Sequence, residues 1–263
     1  GRTRRRRRGP RDRDRGGNRA YVTNKTAGTV TVIDTTTNTV VRTFAAGVKP
    51  DAITVKPDGT QVFVASSENN TVTVVNTATG ATARTISVAS PPSAIGISPP
   101  SGQTLYVTSQ SAGTLVKITT VFWNAATVKL PTGSAPTDLF VSPDISNIYV
   151  ISRTANGGGT VSSVGANAYN STLIANFASA PPTSLAVSPD SKRLYVATTD
   201  GKVSVIDTTT RAVVGTHTVS GVPGAVSVAK DGTKLYVTDT AGGVVSTLNA
   251  STGALLSTSV TRP

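Results

Sequence analysis

Apolar residues along this chain alternate with polar ones instead of recurring at helical spacing. Short runs of Val, Ile, Leu and Thr occupy every second place and are cut by Gly, Pro, Asp and Asn. That is the pattern of β-strands separated by tight turns. No run of eighteen apolar residues occurs, so no membrane-spanning helix is predicted.

The strands repeat. Ala20-Tyr21-Val22-Thr23-Asn24 returns as Val62-Phe63-Val64-Ala65-Ser66, Leu105-Tyr106-Val107-Thr108-Ser109 and Ile148-Tyr149-Val150-Ile151-Ser152. It returns twice more, as Leu194-Tyr195-Val196-Ala197-Thr198 and Leu235-Tyr236-Val237-Thr238-Asp239. The aromatic positions stand 42, 43, 43, 46 and 41 residues apart. A period near forty in a strand-rich chain predicts the blades of a β-propeller. Each repeat resolves into four strands, A to D in chain order. B is the aromatic segment, C is the Thr29-Val30-Thr31-Val32-Ile33-Asp34 type and D the Val40-Val41-Arg42-Thr43-Phe44 type. A precedes turns such as Pro57-Asp58-Gly59. Asp34, Asn76, Asp207 and Asn249 each open a C-to-D turn, where their side chains are expected to bond the backbone two residues on.

Tyr21-Val22-Thr23-Asn24, the Ser-Pro-Asp-like turns and the Val-Ile-Asp-Thr-Thr-Thr segments resemble the YVTN family of β-propeller repeats, over about residues 20–263. The resemblance implies an all-β propeller of six four-stranded repeats. It also brings in surface-layer proteins, binding proteins and enzymes such as virginiamycin B lyase-like and lactonase-like propellers. Their histidine and acidic site residues have no counterpart that can be placed in this chain. Strand A is found only five times, so the first blade is expected to lack it. Thr261-Arg262-Pro263 lines up with Val48-Lys49-Pro50, just ahead of where a further strand A would begin. The expectation is a ring of six repeats, with a fragment of a seven-bladed ring as the alternative.

Composition changes the picture in three places. There is no Cys or Met and a single His, which excludes disulfides, Cys-based zinc sites and His-cluster metal sites. Charged residues make up only 14% of the chain, below the roughly 25% of an average globular protein. The net charge of +12 is concentrated at one end. Residues 1–19 hold ten Arg and two Asp, while the rest has fifteen Lys or Arg against eleven Asp or Glu. Residues 1–19 are therefore expected to form a disordered Arg-rich tail, with the propeller at 20–263. Nucleic acid would bind only through that tail, without sequence preference and with strong salt dependence.

Candidate chemistry is sparse. In propellers the D-to-A and B-to-C connections surround the mouth of the central channel, where ligands usually bind. Here those connections offer Lys25, Lys49, Asp51, Glu68, Asn69, Gln110, Asp138, Arg153, Asp200 and Asp239. Lys49, Asp51, Glu68, Asp138, Arg153, Asp200 and Asp239 form the candidate site for a small polar ligand. His217 lies in an outer D strand and is expected at the surface. No nucleophile elbow occurs, so no catalytic residue, metal or cofactor is assigned. Asn24, Asn69, Asn170 and Asn249 fit the glycosylation pattern, as a Thr-rich chain does by chance.

Repeats three and four break the C-to-D pattern with Thr119-Thr120-Val121-Phe122-Trp123-Asn124 and Gly165-Ala166-Asn167-Ala168-Tyr169. Phe122, Trp123 and Tyr169 are the candidate partner-binding patch, because aromatic anchors are enriched where proteins bind proteins. The alternative is that their rings fold inward over the edges of the irregular blades. The resulting expectation is a monomeric, non-enzymatic binding or scaffold propeller, outside the cell or at its surface, with an unknown protein or small polar ligand as partner.

Overall fold

The computed structural model describes residues 18–260. Most of the Arg-rich tail, up to residue 17, and Thr261-Arg262-Pro263 lie outside the described residues. The first strand opens at Arg19.

Twenty-three strands form six antiparallel sheets. The first sheet has three strands, β1 (Arg19–Asn24), β2 (Thr29–Asp34) and β3 (Thr39–Ala45). The other five have four each, in the A-B-C-D order read from the repeat. They are β4 (Pro50–Val55), β5 (Gln61–Ser66), β6 (Thr71–Asn76) and β7 (Thr82–Ser87); then β8 (Pro92–Ile97), β9 (Thr104–Ser109), β10 (Thr114–Thr119) and β11 (Ala125–Lys129). The fourth sheet is β12 (Ala135–Val141), β13 (Asn147–Arg153), β14 (Gly159–Gly165) and β15 (Ser171–Phe177). The fifth is β16 (Pro182–Val187), β17 (Arg193–Thr198), β18 (Lys202–Asp207) and β19 (Val213–Thr218). The sixth is β20 (Pro223–Val228), β21 (Lys234–Asp239), β22 (Val244–Asn249) and β23 (Leu255–Val260). Among the described residues the first sheet thus holds only strands B, C and D.

Two compact units are present, one reaching to Ser109 and including Lys117–Ala125, the other holding Gln110–Val116 and everything from Ala126. In the first unit, Tyr21, Val30, Val32 and Phe44 of the first sheet bury against Val55, Val62, Val64 and Val75 of the second. In the second unit, Tyr149, Ile151 and Val161 do the same against Leu185, Val187, Leu194, Val196 and Ile206. The strand-B aromatic of one sheet is therefore covered by strands A and B of the next. In the second sheet strands B and C, which lie in the middle, are the most buried, and strand D carries most of its side chains into solvent.

Each strand A begins near a Pro and has a register shift just after it, between Pro50 and Ala52, Pro92 and Ala94, Pro136 and Asp138, Pro182 and Ser184, and Pro223 and Ala225. Proline cannot donate to a ladder and is tolerated at a strand start or a bulge.

The turn chemistry is as expected. Asp34 Oδ1 accepts from the amides of Thr36 at 2.7 Å and Thr37 at 3.1 Å, and Asn76, Asp207 and Asn249 repeat the arrangement. At the A-to-B turn, Asp58 Oδ1 accepts from Thr60 N at 2.9 Å and Thr60 Oγ1 at 2.6 Å. Burial works against the Asp58 charge, but the bonds from Lys56 and Thr60 outweigh it and bring its pKa to about 2. Asp207, held by the Thr210 amide and then by Arg193, also falls to about 2.

A carboxylate with a lowered native pKa stabilises the fold above its unfolded value of about 4 and loses that contribution as pH falls toward the native value. The melting temperature is therefore expected to drop between about pH 4 and pH 2. An Asp58→Asn/Asp207→Asn variant should show a shallower drop over that window in thermal melts. An unchanged slope would mean that these turns add nothing to acid stability.

Candidate functional site

The candidate ligand residues are largely engaged with their own loops. Asp51 is the second residue of β4, at the bulge. One of its oxygens pairs with Lys25 Nζ; the other accepts from Ser67 Oγ and, at 3.0 Å, from the Ser67 amide. Burial opposes its ionisation, but the bonds from Lys25 and Ser67 prevail and lower its pKa. Asp51 thus ties the B-to-C connections of the first and second sheets together. Lys49 Nζ lies 2.5 Å from Glu68 Oε2, an exposed pair worth little on its own.

In the second unit, Asp200 takes Thr198 Oγ1 at 2.6 Å and Lys202 Nζ at 2.7 Å. Asp239 Oδ1 accepts the amides of Ala241 at 2.8 Å and Val222 at 3.2 Å, so it clamps the two connections of its own sheet. Arg153 is the exposed last residue of β13. Two placements correct the reading from sequence. Asp138 lies inside β12, not on a connection, and is 4% exposed, with Oδ1 accepting the Leu139 amide at 2.9 Å. It holds the second place after Pro136, the place that Ala52 holds after Pro50, and that place is buried in both strands. His217 is not a surface residue. It is 7% exposed, its Nε2 lies 3.1 Å from the Ala250 carbonyl, and Gly253 packs over its ring. Among the described residues no group of three or more His, Asp or Glu is placed to hold a metal ion.

The aromatic turns behave differently. Phe122 is 77% exposed and Val121 beside it is exposed too. Trp123 N donates to Thr119 O at 2.8 Å, and Trp123 sits at a φ of 61°, a left-handed conformation uncommon for a bulky residue. The Arg84 guanidinium lies over the Trp123 ring, 4.8 Å from its centroid. Sequence reading missed Arg84, although a signal was there. Arg42 occupies the same offset in the first repeat and donates to the Ala78 carbonyl of the next C-to-D turn at 2.7 Å. Arg84 makes the corresponding reach and meets an aromatic face instead, a contact worth about 0.5–1 kcal/mol at an exposed site. Trp123 is thus partly used in holding the turn, while Phe122 projects from it. Tyr169, on the C-to-D turn of the fourth sheet in the other unit, is 73% exposed. Neither Phe122 nor Tyr169 folds inward.

Residues 11–99 match the family model described as YNCE-like beta-propeller. The chain is a β-propeller, and over that span its repeats are similar to those of this family. Among curated proteins none matches it. The fold of the propeller is shared with solved structures of 1823 chains, a likeness so wide that it specifies no function. One of them is the hydrazine synthase of Kuenenia stuttgartiensis. It is 22% identical to the propeller, over 90% of this chain and 75% of that one, with a TM-score of 0.80. At that identity the likeness concerns the fold alone.

Proposed function

We propose that this propeller is a non-enzymatic binding protein that engages a protein partner through its third C-to-D turn, outside the cell or at the cell surface. The observation that carries the reading is Phe122, a large apolar ring held in solvent by a turn whose next residue is pinned by Arg84. Exposing an apolar ring costs free energy, and a pinned turn loses little further conformational entropy on binding, which suits an interface anchor. The carboxylates at the B-to-C and D-to-A connections support the non-enzymatic part, because Asp51, Asp200 and Asp239 already accept bonds within their loops. The low charge content, with Thr, Ser and Asn in its place, supports the location.

The test is site-specific photocrosslinking on producing cells. A photoreactive phenylalanine at position 122 should give a discrete adduct, and Arg84→Ala, which frees Trp123, should reduce it severalfold. The same probe at Val40, which is also well exposed, should give none. Equal adducts at both positions, or none at 122, would remove the anchor role. A divalent cation or metabolite that raises the melting temperature, and loses that effect in Asp51→Asn, would instead favour the lyase- or lactonase-like reading.

A further inference from the structure

Asn156-Gly157 is the one place in the sequence where a glycine follows an asparagine. The pair lies in the connection from β13 to β14, and both residues are exposed. Gly157 has a φ of +83°, the left-handed region that glycine enters without strain, and a methyl group added to it would meet nothing within 4 Å. Two backbone hydrogen bonds close the loop. Thr154 N donates to Gly158 O at 3.1 Å, and Gly157 N donates to Thr154 O at 3.2 Å. Neither uses the Asn156 side chain. The base of the loop is fixed: a methyl group on Gly158 would fall 2.4 Å from the Phe177 carbonyl oxygen, and one on Gly159 would strike the Pro182 ring.

Other asparagines differ in two respects. Asn76 and Asn249 each hold their side-chain oxygen against two turn amides, and Asn24 donates to Thr29 and Thr31. The residues that follow them, Thr77, Ala250 and Lys25, carry a Cβ that crowds the approach to their amide nitrogens. Asparagine is among the chemically labile side chains, and at Asn156 nothing of this kind protects it.

We propose that Asn156 is a self-modification site, where the following peptide group converts the side-chain amide into a carboxylate. The Gly157 nitrogen gives its proton to a solvent base and attacks Asn156 Cγ. The N–Cγ bond forms, the Cγ–Nδ2 bond breaks, and Nδ2 takes up a proton and leaves as ammonia. The product is a five-membered succinimide. Water then opens the ring, its oxygen adding to one carbonyl carbon while the Gly157 nitrogen recovers a proton. Breaking the new N–Cγ bond gives aspartate. Breaking the original peptide bond instead gives isoaspartate, whose main chain runs through Cγ and is one carbon longer. Water is consumed and ammonia released, with no oxidant or cofactor. The bond from Gly157 N to Thr154 O must open first, and an exposed loop bond opens at little cost. Either product adds a negative charge close in the chain to the exposed Arg153, on a connection whose base stays packed. The proposal is independent of the third C-to-D turn.

The test ages the full folded chain in mildly alkaline buffer and reads it residue by residue by tandem mass spectrometry, with isoaspartate counted by enzymatic methylation. Position 156 should gain the mass of an amide-to-acid change and accumulate isoaspartate, faster as pH rises. Asn170, exposed but followed by Ser171, should change severalfold more slowly. Gly157→Ala should slow the change at Asn156 severalfold, because the added methyl group crowds the attacking nitrogen while meeting no other part of the fold. Asn156→Gln, which leaves Gly157 and the loop backbone as they are, should stay unmodified, because its longer side chain must close a less favourable ring. An intact Asn156 overturns the proposal, as does a change no faster than that at Asn170. A mass gain without isoaspartate, or a rate unmoved by Gly157→Ala, also overturns it.

Discussion

Replacing Phe63 by alanine is expected to cost about 3–5 kcal/mol of stability, and replacing Tyr236 by alanine only about 1–2 kcal/mol. The two residues hold the same place in the repeat, the second of the strand-B aromatic segment. Phe63 is completely buried, as Tyr21, Tyr106, Tyr149 and Tyr195 nearly are. Tyr236 is 40% exposed. Burial makes the difference. The strand-B aromatics of the first and fourth sheets are covered by strands A and B of the sheet after them, as Tyr21 is by Val55, Val62 and Val64. Removing Phe63 deletes a full aromatic burial and leaves a cavity among packed neighbours; removing Tyr236 deletes a half-wetted contact that water already reaches. Urea unfolding of both variants, compared at unchanged slope, measures the contrast. Equal losses would mean that Tyr236 is buried as fully as Phe63.

The Gly159→Ala variant should be destabilised by about 3 kcal/mol, against about 1 kcal/mol for Gly133→Ala. Gly159 opens β14, and its backbone angles suit any residue, so the cost is steric. An added methyl group falls on the ring of Pro182, the first residue of β16, and 2.6 Å from the Ser152 carbonyl oxygen. Neither neighbour can retreat, since one is a rigid ring and the other belongs to the strand backbone of β13. Gly133 is the reverse case. Its φ of +77° strains an alanine, but nothing lies within 4 Å of the new methyl group. Thermal melts of the two variants separate clash from backbone strain. A Gly159→Ala protein as stable as the Gly133→Ala protein would show that the fourth and fifth sheets pack more loosely than their contacts indicate.

Much of the architecture was legible because the repeat is local. Alternation, Asx turns and Pro-Asp-Gly turns depend on residues within a few places of one another, so all six B-C-D sets and the five A strands could be placed from the chain alone. The candidate ligand residues were less legible. Sequence reading puts Asp138 on a connection, yet it falls inside β12 at the buried place that Ala52 holds in β4. His217 looked like a surface residue because strand D is mostly exposed, yet the neighbouring Ala250–Gly253 turn closes over it. The aromatic turn was found through its departure from the repeat, but the residue that holds it, Arg84, comes from the preceding sheet.

By itself the sequence determined the fold class, the repeat and the chemistry of each turn, since all of these rest on short-range pattern and backbone preference. Only the tertiary structure decided which members of equivalent positions are covered. Burial and hydrogen bonding are set by contacts between segments far apart in the chain, such as Lys25 with Asp51 and Arg42 with Ala78. That is why Asp51 became a clamp, tied to Lys25 and Ser67, and Tyr236 a half-exposed ring.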